Sequence, residues 1–235
     1  QVLEAFTKAV TERTKVLAFS HVQYADGFVM PVRDLCQLAR QRNIISVIDG
    51  AQALGMLNFF LRDLGCDFYA AGFHKWLAGC HGTGMLYVRR EMLDRLWPQQ
   101  PRSIDASPPL TTPTYPVGQN AIPAALHKFG NVLPQLWPAI KGSEAALEFH
   151  DQVNRTRIEA RIRELVIYAR MRLQQQLPGV EMLTSGAPGL WGGILTFRVP
   201  GRPASAQAAM LAGVNRVCLS SLNWPNPEQG TLRVS

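Results

Sequence analysis

Short apolar runs, each closing on polar residues or glycine, punctuate the first part of the chain. Residues 15–20 (Lys-Val-Leu-Ala-Phe-Ser) read as a buried strand that ends at Ser20-His21. Ile44 to Ile48 is a second run and closes on Asp49. Residues 67–73 form a third, followed by His74-Lys75, and Gly84 to Val88 a fourth. Between the first two, Pro31 opens a helix whose Val32, Leu35, Leu38 and Ala39 share one face. Strands that are nearly all apolar and alternate with helices predict an α/β fold, with a mostly parallel sheet covered on both sides.

The later pattern is different. Residues 98–123 are rich in proline and threonine and predict an irregular connection. A long amphipathic helix is predicted over roughly 139–176, closed by Pro178-Gly179. Gly192 to Phe197 reads as a strand and 204–212 as a small helix, which together suggest a smaller α+β unit. The predicted organisation is a large domain over 1–138, a connecting helix over 139–176 and a small C-terminal domain over 177–235. Gln1 opens inside a helical pattern and Arg233-Val234-Ser235 closes abruptly, so the chain reads as part of a longer protein.

Composition narrows the class. With 47% apolar and 17% charged residues among 235, the chain is globular and disorder is excluded. The net charge is +7, yet the arginines cluster only at Arg89-Arg90 and along 155–172. On a helix that spacing describes a solvated face, so no nucleic-acid partner is expected. A basic balance suits an anionic cofactor and carboxylate substrates. No run approaches a membrane span, and the first residues carry no signal-peptide pattern. Cys36, Cys66, Cys80 and Cys218 show no paired spacing, which predicts reduced thiols in the cytoplasm.

Ligands of open α/β sheets bind outside the carboxyl ends of the strands. Ser20-His21, Asp49 and His74-Lys75 are three such ends. An acid at one end and a lysine at the next is the pair that holds pyridoxal 5′-phosphate. The amine forms a Schiff base with the cofactor aldehyde, and the carboxylate keeps the pyridine nitrogen protonated. Burial of Lys75 near cationic groups would lower its pKa; its bland alternative is a surface lysine. Asp49 has the alternative of capping the helix that follows it. Ala51 is small enough for a ring to lie against the backbone, and Gln52 suits the phenolic oxygen. His74 is placed to reach the phosphate, and His21 to stack on the pyridine face or shuttle a proton. Either histidine is otherwise a satisfied polar residue at a strand end. Cys66, His74, Cys80 and His81 lack the usual zinc spacing, so no metal is expected. Gly82-Thr83-Gly84 precedes a strand and reads as a returning turn, not a phosphate loop.

With Ser20-His21-Val22, Asp49-Gly50-Ala51-Gln52, His74-Lys75-Trp76-Leu77 and Gly82 to Val88 in this order, the chain resembles the class V aminotransferase family. These are pyridoxal-phosphate enzymes of fold type I, among them isopenicillin N epimerases and cysteine desulfurases. The resemblance runs from about residue 10 to the end and is strongest over 15–90. It implies Lys75 and His21 as catalytic residues, and Asp49, Ala51, Gln52, His74, Lys75 and His21 as cofactor-binding ones. It also implies that Arg233 clamps a substrate α-carboxylate, a role suited to a bidentate guanidinium. The implied activity is at the Cα of an amino acid or derivative, by an aminotransferase-like or isopenicillin-N-epimerase-like enzyme working as a homodimer. One alternative is a cysteine desulfurase or C–S lyase using Cys218 as nucleophile, set against Val217-Cys218-Leu219 as a strand with an inert core thiol. Another is a truncated module without catalysis. The family's Ser/Thr-rich phosphate loop and a ring-supporting residue fall upstream of Gln1. Gly130-Asn131 corresponds to a pair that reaches the partner's phosphate, and Tyr24 stands where desulfurases place Asn.

Overall fold

The computed structural model describes residues 1–95, 137–201 and 203–235. The irregular connection expected over 98–123 and the pair Gly130-Asn131 lie outside the described residues. Helix α1 (Val2–Ala9) leads into the first sheet, made of β1 (Val16–Ser20), β2 (Ile45–Asp49), β3 (Phe68–Gly72) and β4 (Gly84–Val88). The strand order is β1-β2-β3-β4. The first three strands are parallel and β4 is antiparallel, returned by the Gly82–Gly84 turn as the sequence predicts. The register aligns Ser20 with Asp49 and Asp49 with Ala70, so the three polar strand ends share one edge.

Helix α2 (Val32–Gln41) carries the chain from β1 to β2 and buries Val32, Leu35, Cys36, Leu38 and Ala39. Leu35 and Cys36 pack with Ile48, Tyr69 and Ala71 as the core beneath the sheet. Each large apolar side chain buried there contributes about 1.5–3 kcal/mol. The short α3 (Leu61–Leu64) joins the same core through Leu64. Cover on both faces is not observed among the described residues. On the face opposite α2, Val16 is 48% and Leu86 49% exposed, and Ala18 and Ala70 are exposed as well. Continuous apolar strands predict two covered faces, but a pattern cannot specify which segment covers the second.

At the far end of the sheet, Asp67 is buried and accepts hydrogen bonds from the Ser46 amide (2.8 Å), Ser46 Oγ (3.0 Å) and Arg89 Nε (2.8 Å). This pins β2, β3 and the exit of β4 together. The exit leads into a 3-10 turn over Arg90–Arg95.

The single helix expected over 139–176 is two: α4 (Trp137–Val153) and α5 (Arg155–Gln176). Asn154 separates them at φ 80°, and its side chain caps α5 by accepting from the Thr156 amide at 2.9 Å. Asparagine tolerates the left-handed region and is a favoured N-cap, which an amphipathic pattern does not register. The second sheet contains β5 (Glu181–Met182), β6 (Leu195–Arg198), β7 (Ser220–Leu222) and β8 (Thr231–Val234), with α6 (Ala204–Asn215) between β6 and β7. It is antiparallel in the order β5-β6-β8-β7. Leu195, Phe197 and Leu232 pack on Val166 of α5 and Ala204 of α6. The strand expected from Gly192 starts only at Leu195, because the glycines serve close approach. A Cβ on Gly193 would lie 2.4 Å from the Trp76 ring. The strand expected at 217–219 is absent; β7 begins at Ser220, and Cys218 is exposed instead of a core thiol.

The two sheets are stitched through the loop after β1. Thr196 Oγ1 donates to the Ala25 carbonyl and Thr184 Oγ1 to the Asp26 carbonyl, each at 2.6 Å.

Candidate active site at the carboxyl edge of the parallel strands

His21 directly follows β1, Asp49 ends β2, and Lys75 lies in the turn after β3. The His21 amide donates to the Asp49 carbonyl at 2.8 Å, and the Gly50 amide to the Ala70 carbonyl at 2.7 Å. These bonds continue the sheet ladder past the strand ends and hold the three segments side by side.

Asp49 is exposed, and its Oδ1 accepts from the Ala51 amide at 2.8 Å. One oxygen therefore secures a turn, and the helix that the capping alternative requires after Asp49 is not formed, since residues 51–56 are turns. The other has no partner among the described residues. Ala51 is half-buried beside it. Gln52 is buried, and its Oε1 accepts from Trp76 Nε1 at 3.0 Å. That bond ties the Asp49 turn to the Lys75 turn, and the amide nitrogen of Gln52 has no partner among the described residues. Gly55 closes the same seam, since a Cβ there would lie 2.4 Å from the Leu77 amide nitrogen.

Lys75 is exposed and forms no ion pair among the described residues. The burial expected to tune it is not provided by the described residues. His74 is also exposed, and its ring stacks on His81 with centroids 5.0 Å apart. His21 is buried, with Phe59 and Tyr69 edge-on at 4.9 and 6.0 Å, and its Nδ1 lies 3.0 Å from the Tyr69 hydroxyl. Burial lowers the His21 pKa to about 4, so the ring is neutral at pH 7.

Arg233 sits in β8 between Thr196 of β6 and Ser220 of β7, and is only 8% exposed. Its Nη1 donates to the Tyr24 carbonyl (3.3 Å) and Nη2 to Ser235 Oγ (3.0 Å), while the guanidinium lies 4.1 Å from the Tyr24 ring centroid. Nε is buried without a partner, and no carboxylate among the described residues pairs with this cation. A buried charge without a counter-ion is costly. Because Tyr24 is three residues past His21, the second sheet delivers Arg233 to the loop that carries His21.

Sequence reasoning missed three contributors: Tyr69 beneath His21, Trp76 holding Gln52, and the Tyr24 ring over Arg233. Tyr69 had one usable signal, since it alternates onto the buried face with Ile48.

The residues present fit pyridoxal 5′-phosphate. An amine, a carboxylate oxygen and an amide donor, none with a partner among the described residues, sit on adjacent strand ends, with a small residue between. The architecture and this edge define a fold type I protein of the pyridoxal-phosphate kind. The sequence profile of the family Aminotransferase class-V matches residues 1–221, and the chain belongs to that family. It is 32% identical over 246 residues to isopenicillin N epimerase of Streptomyces clavuligerus, covering 100% of this chain and 58% of that protein. It is 30% identical over 199 residues to a probable cysteine desulfurase of Halalkalibacterium halodurans, covering 84% of this chain and 46% of that protein. A solved structure of a C-DES mutant with glycine covalently linked to its PLP cofactor shares the fold, at TM-score 0.74 and 22% identity, covering 100% of this chain and 59% of that one. The chain thus spans about half the length of these proteins.

Proposed function

We propose that this chain is the core of a pyridoxal-phosphate enzyme acting at the Cα of an amino acid or amino-acid derivative, in the manner of an aminotransferase or an isopenicillin N epimerase. The observation that carries this is the pair Asp49 and Lys75 at neighbouring carboxyl ends, neither engaged in an ion pair among the described residues. When bound, the cofactor supplies an aldehyde for the lysine and a protonated ring that takes up the electron pair released at Cα. Asp49 holds the proton on the pyridine nitrogen. Gln52 donates its free amide N–H to the phenolic oxygen, and Ala51 gives the ring room. His74 binds phosphate, and His21 supports the ring. Lys75 holds and moves the α-proton, while Arg233 binds the α-carboxylate. The family implies a homodimer, and four unpaired cysteines suit a reducing cytoplasm.

The test is cofactor titration of the full-length protein, borohydride reduction and peptide mapping. A pyridoxyl adduct on Lys75 is expected, and its loss in Lys75→Ala. An adduct elsewhere, or none, refutes the reading. A second reading, C–S bond cleavage, is favoured by one observation: Cys218 is exposed and lies just ahead of Ser220, the register partner of Arg233. Cys218→Ala abolishes that activity and leaves epimerisation or transamination intact.

A further inference from the structure

We infer that Tyr69 is a positioning residue that sets His21 as the neutral tautomer protonated on Nε2, so that His21 presents a hydrogen-bond donor and no base. That this edge serves a cofactor rests on the reading above; the tautomer does not.

His21 is 5% exposed and Tyr69 fully buried, with Nδ1 and the hydroxyl 3.0 Å apart. Among the described residues the phenol has no other hydrogen-bond partner. If Nδ1 carried the proton, it would donate to the phenol oxygen, and the buried phenolic proton would have no acceptor. Native interiors avoid that arrangement. The hydroxyl therefore donates to Nδ1, and the proton of the neutral ring resides on Nε2. Nε2 has no protein partner among the described residues and is not among the buried atoms left without one, so this edge reaches solvent.

The pair is built in, not incidental. Phe59 and Tyr69 hold the ring plane edge-on, and the Asp49 carbonyl holds the His21 backbone. Gly50 is what lets the phenol pass: a Cβ there would lie 1.9 Å from Tyr69 Cε1 and 2.4 Å from its hydroxyl. Asp49-Gly50 thus places a carboxylate on one side of the strand end and seats Tyr69 on the other. A second proton, which would charge the ring, is further opposed by burial, which lowers the imidazole pKa. Burial also raises the phenol pKa, with Cys66 and Asp49 adding to it, and keeps the hydroxyl a donor. With Nδ1 engaged and Nε2 already protonated, His21 accepts no proton from a substrate. Of the two roles the sequence suggested for it, this tautomer is incompatible with proton shuttling, which leaves Lys75 to move the proton.

The experiment is nitrogen-15 NMR of the histidine-labelled protein at neutral pH, with His21→Gln identifying the His21 signals. Wild type is expected to show a bare Nδ1 and a protonated Nε2. Tyr69→Phe keeps the ring but loses the donor, and the tautomer preference should fall roughly five- to tenfold, the worth of one hydrogen bond. A wild-type His21 that is charged or protonated on Nδ1 overturns the proposal without any variant. So does a folded Tyr69→Phe protein whose His21 signals are unchanged. Failure to take up pyridoxal phosphate with the tautomer as stated would sink the cofactor reading alone.

Discussion

Acid should loosen this fold through His21 in a way that one substitution can isolate. The imidazole titrates near 6.5 in an unfolded chain and at about 4 when folded, because burial disfavours the charged ring. Between those values the unfolded chain binds a proton that the folded chain refuses, so stability falls as pH falls through that window. At about 1.4 kcal/mol per pH unit, the loss from pH 7 to 4 reaches about 3 kcal/mol. That is a large share of a typical folding free energy of about 5–15 kcal/mol. His21→Gln removes the titration while its amide oxygen still accepts from Tyr69. Urea unfolding of both proteins at steps from pH 7 to 4 gives two stability curves, and carboxylates common to both cancel in their difference. That difference should shrink by about 3 kcal/mol toward pH 4. A difference that stays flat across the window would refute the assignment of a buried, neutral His21.

Two more outcomes follow from other parts of the molecule. Asp67→Ala leaves Arg89 and the Ser46 amide without their buried acceptor, and should cost about 3–5 kcal/mol in urea unfolding; a loss under about 1 kcal/mol would reduce the cluster to a surface ion pair. Cys36 and Cys66 are buried, with thiols pushed up to about 11 and about 12, so Ellman's reagent near pH 8 should modify exposed Cys218 first and leave both untouched until the protein unfolds. Labelling of Cys36 or Cys66 in the native protein would contradict that packing.

Much of this protein is written locally. The strands over 16–20, 45–49, 68–72 and 84–88 coincide with apolar runs, because each contributes apolar side chains to the core packed on α2. Asp49 and Lys75 stand out for the same reason, as polar residues placed where each run stops. Their order along the chain, with the glycine turn behind them, was enough to indicate the family. What sequence could not specify are relations between residues far apart in it. Asn154 breaks a helix whose amphipathic pattern runs on without interruption, since a single left-handed residue does not disturb the pattern. Cys218 lies in an apolar triplet, yet the antiparallel register begins two residues later and leaves it exposed. Arg233 becomes a buried cation, with no anion paired to it among the described residues, only because β6 and β7 flank it and Tyr24 covers it. His21 becomes a neutral donor only because Gly50 opens a space for a phenol one strand away. The sequence by itself determined the strands of the first sheet, their polar tips and so the candidate chemistry, since hydrophobic burial acts on each segment according to its own pattern. Tertiary structure decided protonation, exposure and pairing, because desolvation and hydrogen bonding depend on neighbours that only folding brings together.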